Sequence, residues 1–77
     1  MSSDYYTWTE RNYGGSWSLS CERGKFTARI WESTIYGRRM LRWDVCDEGY
    51  CYAAAQAASI KEAKRMAEEQ LKRLEAP

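Results

Sequence analysis

The sequence predicts an α+β fold, in which an antiparallel sheet carries one C-terminal helix packed on one face. The sheet has four strands, or five if the N-terminal segment adds an edge strand. Three observations predict this fold: the middle of the chain alternates apolar and polar residues, short Gly-containing turns separate the alternating stretches, and the last third changes to a helical period. With 77 residues, 44% of them hydrophobic, the chain has room for one domain with one modest core.

The N-terminal segment, residues 1–16, mixes Ser, Thr, Asn and Gly with aromatic residues. These aromatic residues are Tyr5, Tyr6, Trp8 and Tyr13. They are too numerous for a plain tail, so we expect either a fifth edge strand or an arm lying over the sheet. Residues 17–77 are then a single ββββα domain.

Four strands are predicted between residues 17 and 57. The apolar positions of the first three are Trp17, Leu19 and Cys21, then Phe26, Ala28 and Ile30, then Leu41, Trp43 and Val45. The turns between them are predicted at residues 22–25 and 33–38, and a third turn at 47–49 leads to the fourth strand at 50–57. That strand is rich in Ala, which also suits a helix, but its Tyr and Cys residues favour a strand.

A helix is predicted from Ser59, because Ser59 and Glu62 form the pattern of a capping box. The apolar stripe that follows is Ile60, Ala63, Ala67, Leu71 and Leu74. Charged residues occupy the other faces of this helix, and Pro77 stands just beyond its end. One face of the helix is therefore expected to pack on the sheet.

Strand alternation sorts the sheet residues into two faces. The face toward the helix is predicted to carry Leu19, Phe26, Ala28, Ile30, Leu41, Trp43, Val45, Cys51, Ala53 and Ala55. The opposite face is predicted to carry Ser18, Ser20, Thr27, Arg29, Trp31, Met40, Arg42, Asp44, Tyr50 and Tyr52. Trp, Tyr, Met and Arg are enriched in binding hot spots and suit base stacking, so this face is a candidate binding surface, unless the N-terminal arm covers it.

Charge is unevenly placed along the chain. The net charge is +1, but residues 23–42 hold six basic residues and one acidic residue, a local charge of +5. Such a patch suits either phosphates or an acidic protein surface, and the patch alone does not choose between them.

The chain contains no histidine, the commonest general base and zinc ligand. The tightest acidic group, Asp44, Asp47 and Glu48, is interpreted mainly as a solvated turn with too few oxygens for a calcium loop. We therefore expect no enzymatic activity, no cofactor and no metal.

The three cysteines, Cys21, Cys46 and Cys51, are an odd number without a CxxC pair, which favours small buried thiols in a reducing compartment and no disulfide. No apolar run reaches the length of a membrane span, and the N-terminus lacks the features of a signal peptide. A cytoplasmic protein is expected.

Two resemblances bear on function. With three strands, then a helix and a basic, aromatic middle hairpin, residues 17–72 resemble the three-stranded DNA-binding domains of plant ethylene-response factors and the arm-binding domains of tyrosine recombinases. That resemblance implies a sheet face that enters the major groove of DNA. The residues that would read the DNA are Arg29, Trp31, Arg38, Arg39 and Arg42.

The spaced tryptophans Trp17, Trp31 and Trp43, followed by an Ala-rich strand and the sequence SIKEAKRMAE, resemble small phage and prophage proteins of the anti-CRISPR type. This resemblance, over residues 17–75, implies a stoichiometric inhibitor that docks on a host protein or ribonucleoprotein complex, and it is the first hypothesis. DNA binding is the alternative, and a homodimer through aromatic faces or edge strands is a further one. The predicted partner-binding residues are Arg29, Trp31, Arg38, Arg39, Arg42, Tyr50 and Tyr52.

Overall fold

The structure, a computed structural model, describes residues 6–75 as five strands followed by one helix. The elements are β1 (Thr9–Tyr13), β2 (Ser16–Arg23), β3 (Phe26–Ile35), β4 (Arg38–Asp47), β5 (Tyr50–Ala57) and α1 (Ile60–Glu75). The strands form one antiparallel sheet in sequence order, so that β1 and β5 are its edges. The α+β fold is confirmed in its five-stranded form, with the extra edge strand inside the N-terminal segment. Tyr5 and Pro77 lie outside the described residues.

The hairpin between β3 and β4 is tighter than the sequence predicts. The sequence predicts a turn across residues 33–38, but the turn consists of Tyr36 and Gly37 alone, and both have positive φ angles, 54° and 77°. Two consecutive positive φ angles match the right-handed twist of the flanking strands, which favours two-residue turns of this kind. The two strands therefore continue to ten residues each.

The helix begins as predicted, with a capping box. The backbone N–H of Glu62 donates to the Ser59 hydroxyl oxygen at 3.1 Å. The Glu62 carboxylate reaches back and accepts the backbone N–H of Ala58 at 2.8 Å, one residue earlier than the standard motif. No helix within residues 6–75 has the length and apolar character needed to cross a membrane.

The core lies between the helix and one face of the sheet. Its buried apolar residues are Tyr6, Cys21, Ala28, Ile30, Trp43, Val45, Ala63, Ala67 and Leu71. Three of the predicted helix-stripe residues are among them, whereas Ile60 is 40% exposed and lies at the rim. The small Ala63 and Ala67 let the helix lie close to the sheet.

Residues 6–8, called the arm from here on, join this core from the side of the helix. Tyr6 is 6% exposed, and Trp8 packs against the core while its indole N–H donates to the Glu68 carboxylate at 2.8 Å. Arg23 lies over the Tyr6 ring, 5.2 Å from its centroid, and pairs with Glu75 at 3.1 Å. The arm therefore covers one side of the core between the helix and the sheet.

A β-bulge interrupts the pairing of β4 with β5. Val45 lies opposite Ala53, but the next residue, Cys46, lies opposite Cys51, so β5 contains one extra residue, Tyr52. An extra residue reverses the alternation beyond it. The predicted placement of Cys51 beside Ala53 on the helix face is therefore wrong.

Cys46 and Cys51 form a disulfide across the hairpin. The prediction of three unpaired thiols is wrong for this pair, because strand pairing brings the two side chains together on one face. Cys21 is free and buried in the core, as predicted. Burial, and then the nearby carboxylate of Glu68, raise the pKa of its thiol above the ordinary 9.0.

Candidate binding surface

The sheet face turned away from the helix, here called the open face, carries two rows of residues that run across the strands. The first row is Arg11, Ser18, Trp31, Arg42 and Gln56, one residue from each strand in order. The second row is Thr9, Ser20, Arg29, Asp44 and Ala54. Five strands spaced ~4.8 Å apart make each row ~19 Å long.

Trp31 occupies the centre of the first row and is half-buried. The guanidinium carbon of Arg29 lies 5.7 Å from the centroid of the Trp31 ring, a cation–π distance. A shallow cavity of about 340 Å³ is lined by Ser18, Arg29 and Trp31. The small serine lies beside the large ring in this hollow.

Arg29 is held in place by Asp44 on the next strand. Its Nε and Nη2 atoms donate to the two carboxylate oxygens at 3.2 and 2.9 Å, so the pair is bidentate. The Asp44 side chain is 8% exposed and the Arg29 side chain 55% exposed. The hydrogen bonds to Asp44 raise the pKa of the Arg29 guanidinium, which therefore stays charged. The pair orients Arg29 over Trp31 and neutralises its charge.

The remaining arginines of the open face have no acidic partner in the part of the chain that the structure describes. Arg42 lies directly opposite Trp31, Arg11 lies at the β1 edge, and Arg38 lies opposite Ile35 at the end of the β3–β4 hairpin. Every cation that the five strands place on this face is an arginine, and no lysine is among them. Arg11 and Arg38 are exposed and Arg42 is half-buried.

The structure brings together four of the seven predicted binding residues: Arg29, Trp31, Arg38 and Arg42. Arg39 lies opposite Thr34, which shares a face with the core residue Ile30, so Arg39 is on the helix side of the sheet, where it is exposed. Sequence reasoning missed Arg11 and Gln56, which extend the central row to both edges. The alternation of Thr9, Arg11 and Tyr13 before the Gly14–Gly15 turn was the available signal for Arg11.

Tyr50 and Tyr52 form a separate aromatic cluster at the β4–β5 turn. The Tyr52 ring makes edge-to-face contacts with Phe26 and Tyr50, at centroid distances of 5.5 and 4.9 Å. Phe26 packs against the core, so the predicted placement of both tyrosines beside Trp31 on the open face is wrong. The bulge at Tyr52 is the physical reason, because it turns this side chain away from Arg29 and Trp31.

Asp47 anchors the same turn. The Tyr52 hydroxyl donates to Asp47 at 2.5 Å, and the backbone N–H of Gly49 donates to the other carboxylate oxygen at 3.1 Å. The hydrogen bond from Tyr52, and then that from Gly49, lower the pKa of Asp47 below its ordinary 3.8. The hydrogen bond to Asp47 raises the pKa of Tyr52 above 10.0. Asp47 therefore acts as a turn residue, in agreement with the main interpretation of the sequence.

No segment within residues 6–75 covers the open face. Tyr6 and Trp8 pack on the helix side, and residues 9–13 extend the sheet as β1 instead of crossing it. Tyr13 remains 68% exposed at the β1 edge. For these residues the alternative of an arm lying over the open face is wrong.

Comparison of the chain with models of protein families, with curated proteins and with solved structures gives no match.

Proposed function

We propose that the protein is a non-enzymatic binding protein, and that its open face docks on an acidic surface of a partner protein. The observation that carries this proposal is the row in which Trp31 lies between Arg42 and Ser18, with Arg29 over its ring. A large aromatic residue beside arginines is typical of the energetic centre of a protein interface.

The chemistry of the cations favours a protein partner over nucleic acid. Arginine is enriched and lysine depleted at protein interfaces. All the cations that the strands place on this face are arginines. Phosphate binding depends on the number of unpaired cations, and Arg29 is already engaged by Asp44. Arg11, Arg38 and Arg42 remain to complement carboxylates of the partner, while Trp31 fills an apolar pocket.

The proposed partner is a protein or ribonucleoprotein complex of a host cell. The resemblance to anti-CRISPR-type phage proteins supports a stoichiometric inhibitor that acts in the cytoplasm on a host complex that handles nucleic acid. An inhibitor of this type works by occupying a surface, which requires an exposed rigid face and no catalytic group.

A pulldown from a bacterial lysate, with and without nuclease, tests the proposal. The wild type is compared with Trp31→Ala, Arg42→Ala and the matched control Arg73→Ala, which removes an exposed arginine from the helix, far from the open face. We expect a nuclease-resistant complex of fixed stoichiometry that Trp31→Ala weakens by at least ~2 kcal/mol, a factor of ~30 in Kd, and that Arg73→Ala leaves unchanged. Circular dichroism checks that each variant is folded.

DNA binding is the competing function, supported by Arg11, Arg38 and Arg42 along the open face, which pair with no acidic residue within residues 6–75. Recovery of nucleic acid alone, lost on nuclease treatment, would contradict the protein-partner proposal. In that case the logarithm of the binding constant should fall with the logarithm of salt with a slope of about −3, since about three phosphates would be neutralised. The geometry limits this alternative, because Arg39 does not share the face and Arg29 is paired.

A further inference from the structure

Three side chains of types that bind Zn²⁺, one carboxylate and two cysteines, meet on the open face at the β4–β5 hairpin. The ligand atoms of Asp44, Cys46 and Cys51 all lie within 4.8 Å of one another. Asp44 and Cys46 are two residues apart on one strand and so share a face, and Cys51 lies opposite Cys46. The two sulfur atoms are joined as a disulfide, which leaves no thiolate to bind a metal.

We propose that reduction of this disulfide creates a site for one Zn²⁺ ion, bound by the thiolates of Cys46 and Cys51 and a carboxylate oxygen of Asp44. Zinc binds sulfur at ~2.3 Å and carboxylate oxygen at ~2.0–2.2 Å. The ligand atom of Asp44 already lies within 4.8 Å of both sulfurs, and reduction frees the two sulfurs to separate around one ion. Water supplies the fourth ligand. This zinc site does not depend on the proposed binding of a partner protein.

Arg29 is the positioning residue for this site. Its two hydrogen bonds orient the Asp44 carboxylate, as residues around metal ligands commonly do, and leave lone pairs of both oxygens free. Two thiolates and one carboxylate carry three negative charges, which one Zn²⁺ ion and the Arg29 guanidinium balance. The spacing of four residues between Cys46 and Cys51 lies within the range found in zinc sites.

The hairpin keeps the site together when the disulfide opens. β4 and β5 pair at seven positions, and the turn has its own hydrogen bond from Gly49 to Asp47. Cys51 is exposed, so a reductant can reach the sulfur. With a phosphine reductant the step balances: the phosphine and one water molecule become a phosphine oxide, and the disulfide becomes two thiols. Both thiols lose their protons when the metal binds.

The test uses the full chain, reduced with a phosphine and titrated with Cd²⁺, whose bonds to thiolates absorb in the ultraviolet. We expect a thiolate-to-metal band that saturates at one Cd²⁺ per chain and is lost when excess Zn²⁺ displaces the Cd²⁺. The oxidised protein should give no band. Cys21→Ser, which removes the buried thiol of the core, should leave the titration unchanged.

Two variants test the ligands. Cys51→Ser changes an exposed residue, so the fold should persist, and we expect it to weaken Cd²⁺ binding at least ~10-fold. Asp44→Asn should likewise weaken Cd²⁺ binding. The matched control Glu48→Gln, on the exposed turn, should leave Cd²⁺ binding unchanged. The absence of a band in the reduced wild type would overturn the site, as would wild-type affinity in Cys51→Ser. Saturation at one Cd²⁺ per two chains would overturn a site within one chain.

Discussion

Arg29 and Asp44 lie directly opposite each other on β3 and β4, and both oxygens of the buried carboxylate accept hydrogen bonds from the exposed guanidinium. This pair links three features of the open face: the cation over Trp31, the charge balance of the surface and the proposed metal site. Mutation of each residue alone and of both together measures the contribution of this pair to the free energy of unfolding.

The first prediction concerns this pair. Arg29→Ala leaves the carboxylate of Asp44, 8% exposed, without its partner, and should lower the free energy of unfolding by about 1–3 kcal/mol. The double variant Arg29→Ala/Asp44→Ala should be destabilised by less than the sum of the two single changes, because no buried charge remains. Urea denaturation measures these effects. Arg38→Ala, at an exposed position, should stay within ~0.5 kcal/mol of the wild type, and additive effects in the double variant would contradict the coupling.

The helix cap is the subject of the second prediction. Ser59→Ala removes the acceptor for the Glu62 backbone N–H and should lower the free energy of unfolding by about 1 kcal/mol. Ser59→Asp keeps an acceptor at the same position and should retain most of the stability. Thermal denaturation followed by circular dichroism distinguishes the two, and equal losses in both variants would argue against a capping role.

The third prediction is a pH dependence at the β4–β5 turn. Folding lowers the pKa of Asp47, so the stabilisation from the Tyr52 hydrogen bond is present above pH 3.8 and is lost as the pH falls through the lowered value. Folding raises the pKa of Tyr52, so the same stabilisation is present below pH 10.0 and is lost as the pH rises through the raised value.

Tyrosinate absorbance measures this effect. In the wild type, Tyr52 should ionise at a higher pH than it does in Asp47→Ala, in which the acceptor is gone. Glu48→Ala, at the neighbouring exposed acid, serves as the control and should titrate like the wild type. Superimposable curves for Asp47→Ala and the wild type would show that the hydrogen bond does not form in solution.

The fourth prediction concerns the thiols. After reduction, Cys46 and Cys51 should react with a thiol reagent at least ~100-fold faster than Cys21, because Cys21 is 1% exposed and its reaction requires local opening. The raised pKa of Cys21 further lowers its thiolate fraction. In concentrated urea all three thiols should react alike. Three equally fast thiols in the folded protein would place Cys21 outside the core.

The arm provides the fifth prediction. Trp8→Phe keeps an aromatic ring but removes the hydrogen bond to Glu68, and should lower the free energy of unfolding by about 1 kcal/mol. Limited proteolysis should then cut before β1 faster than in the wild type. Tyr13→Phe, which changes an exposed aromatic residue outside the core, is the matched control. If Trp8→Phe is cut as slowly as the wild type, the Glu68 contact does not hold the arm.

Elements that depend on a local pattern of residues could be predicted without the fold. Alternation identified the core residues Ala28, Ile30, Trp43 and Val45, and the Ser59–Glu62 spacing located the start of the helix. The same alternation placed Arg29, Trp31 and Arg42 together, because these residues lie in regular stretches of β3 and β4. A regular strand has a strict period of two, so a pattern read along the chain is enough to sort its faces.

Features that depend on pairing between distant segments could not be predicted in this way and became known from the fold. The extra residue in β5, Tyr52, reverses the faces of Cys51 and Tyr50, and nothing in the residue types reveals it, because a bulge is defined by the register of two strands. The disulfide follows from that register. The arm likewise packs beside Glu68 and not over Trp31. Its position depends on where the helix leaves apolar surface of the core uncovered, and that is a property of the fold.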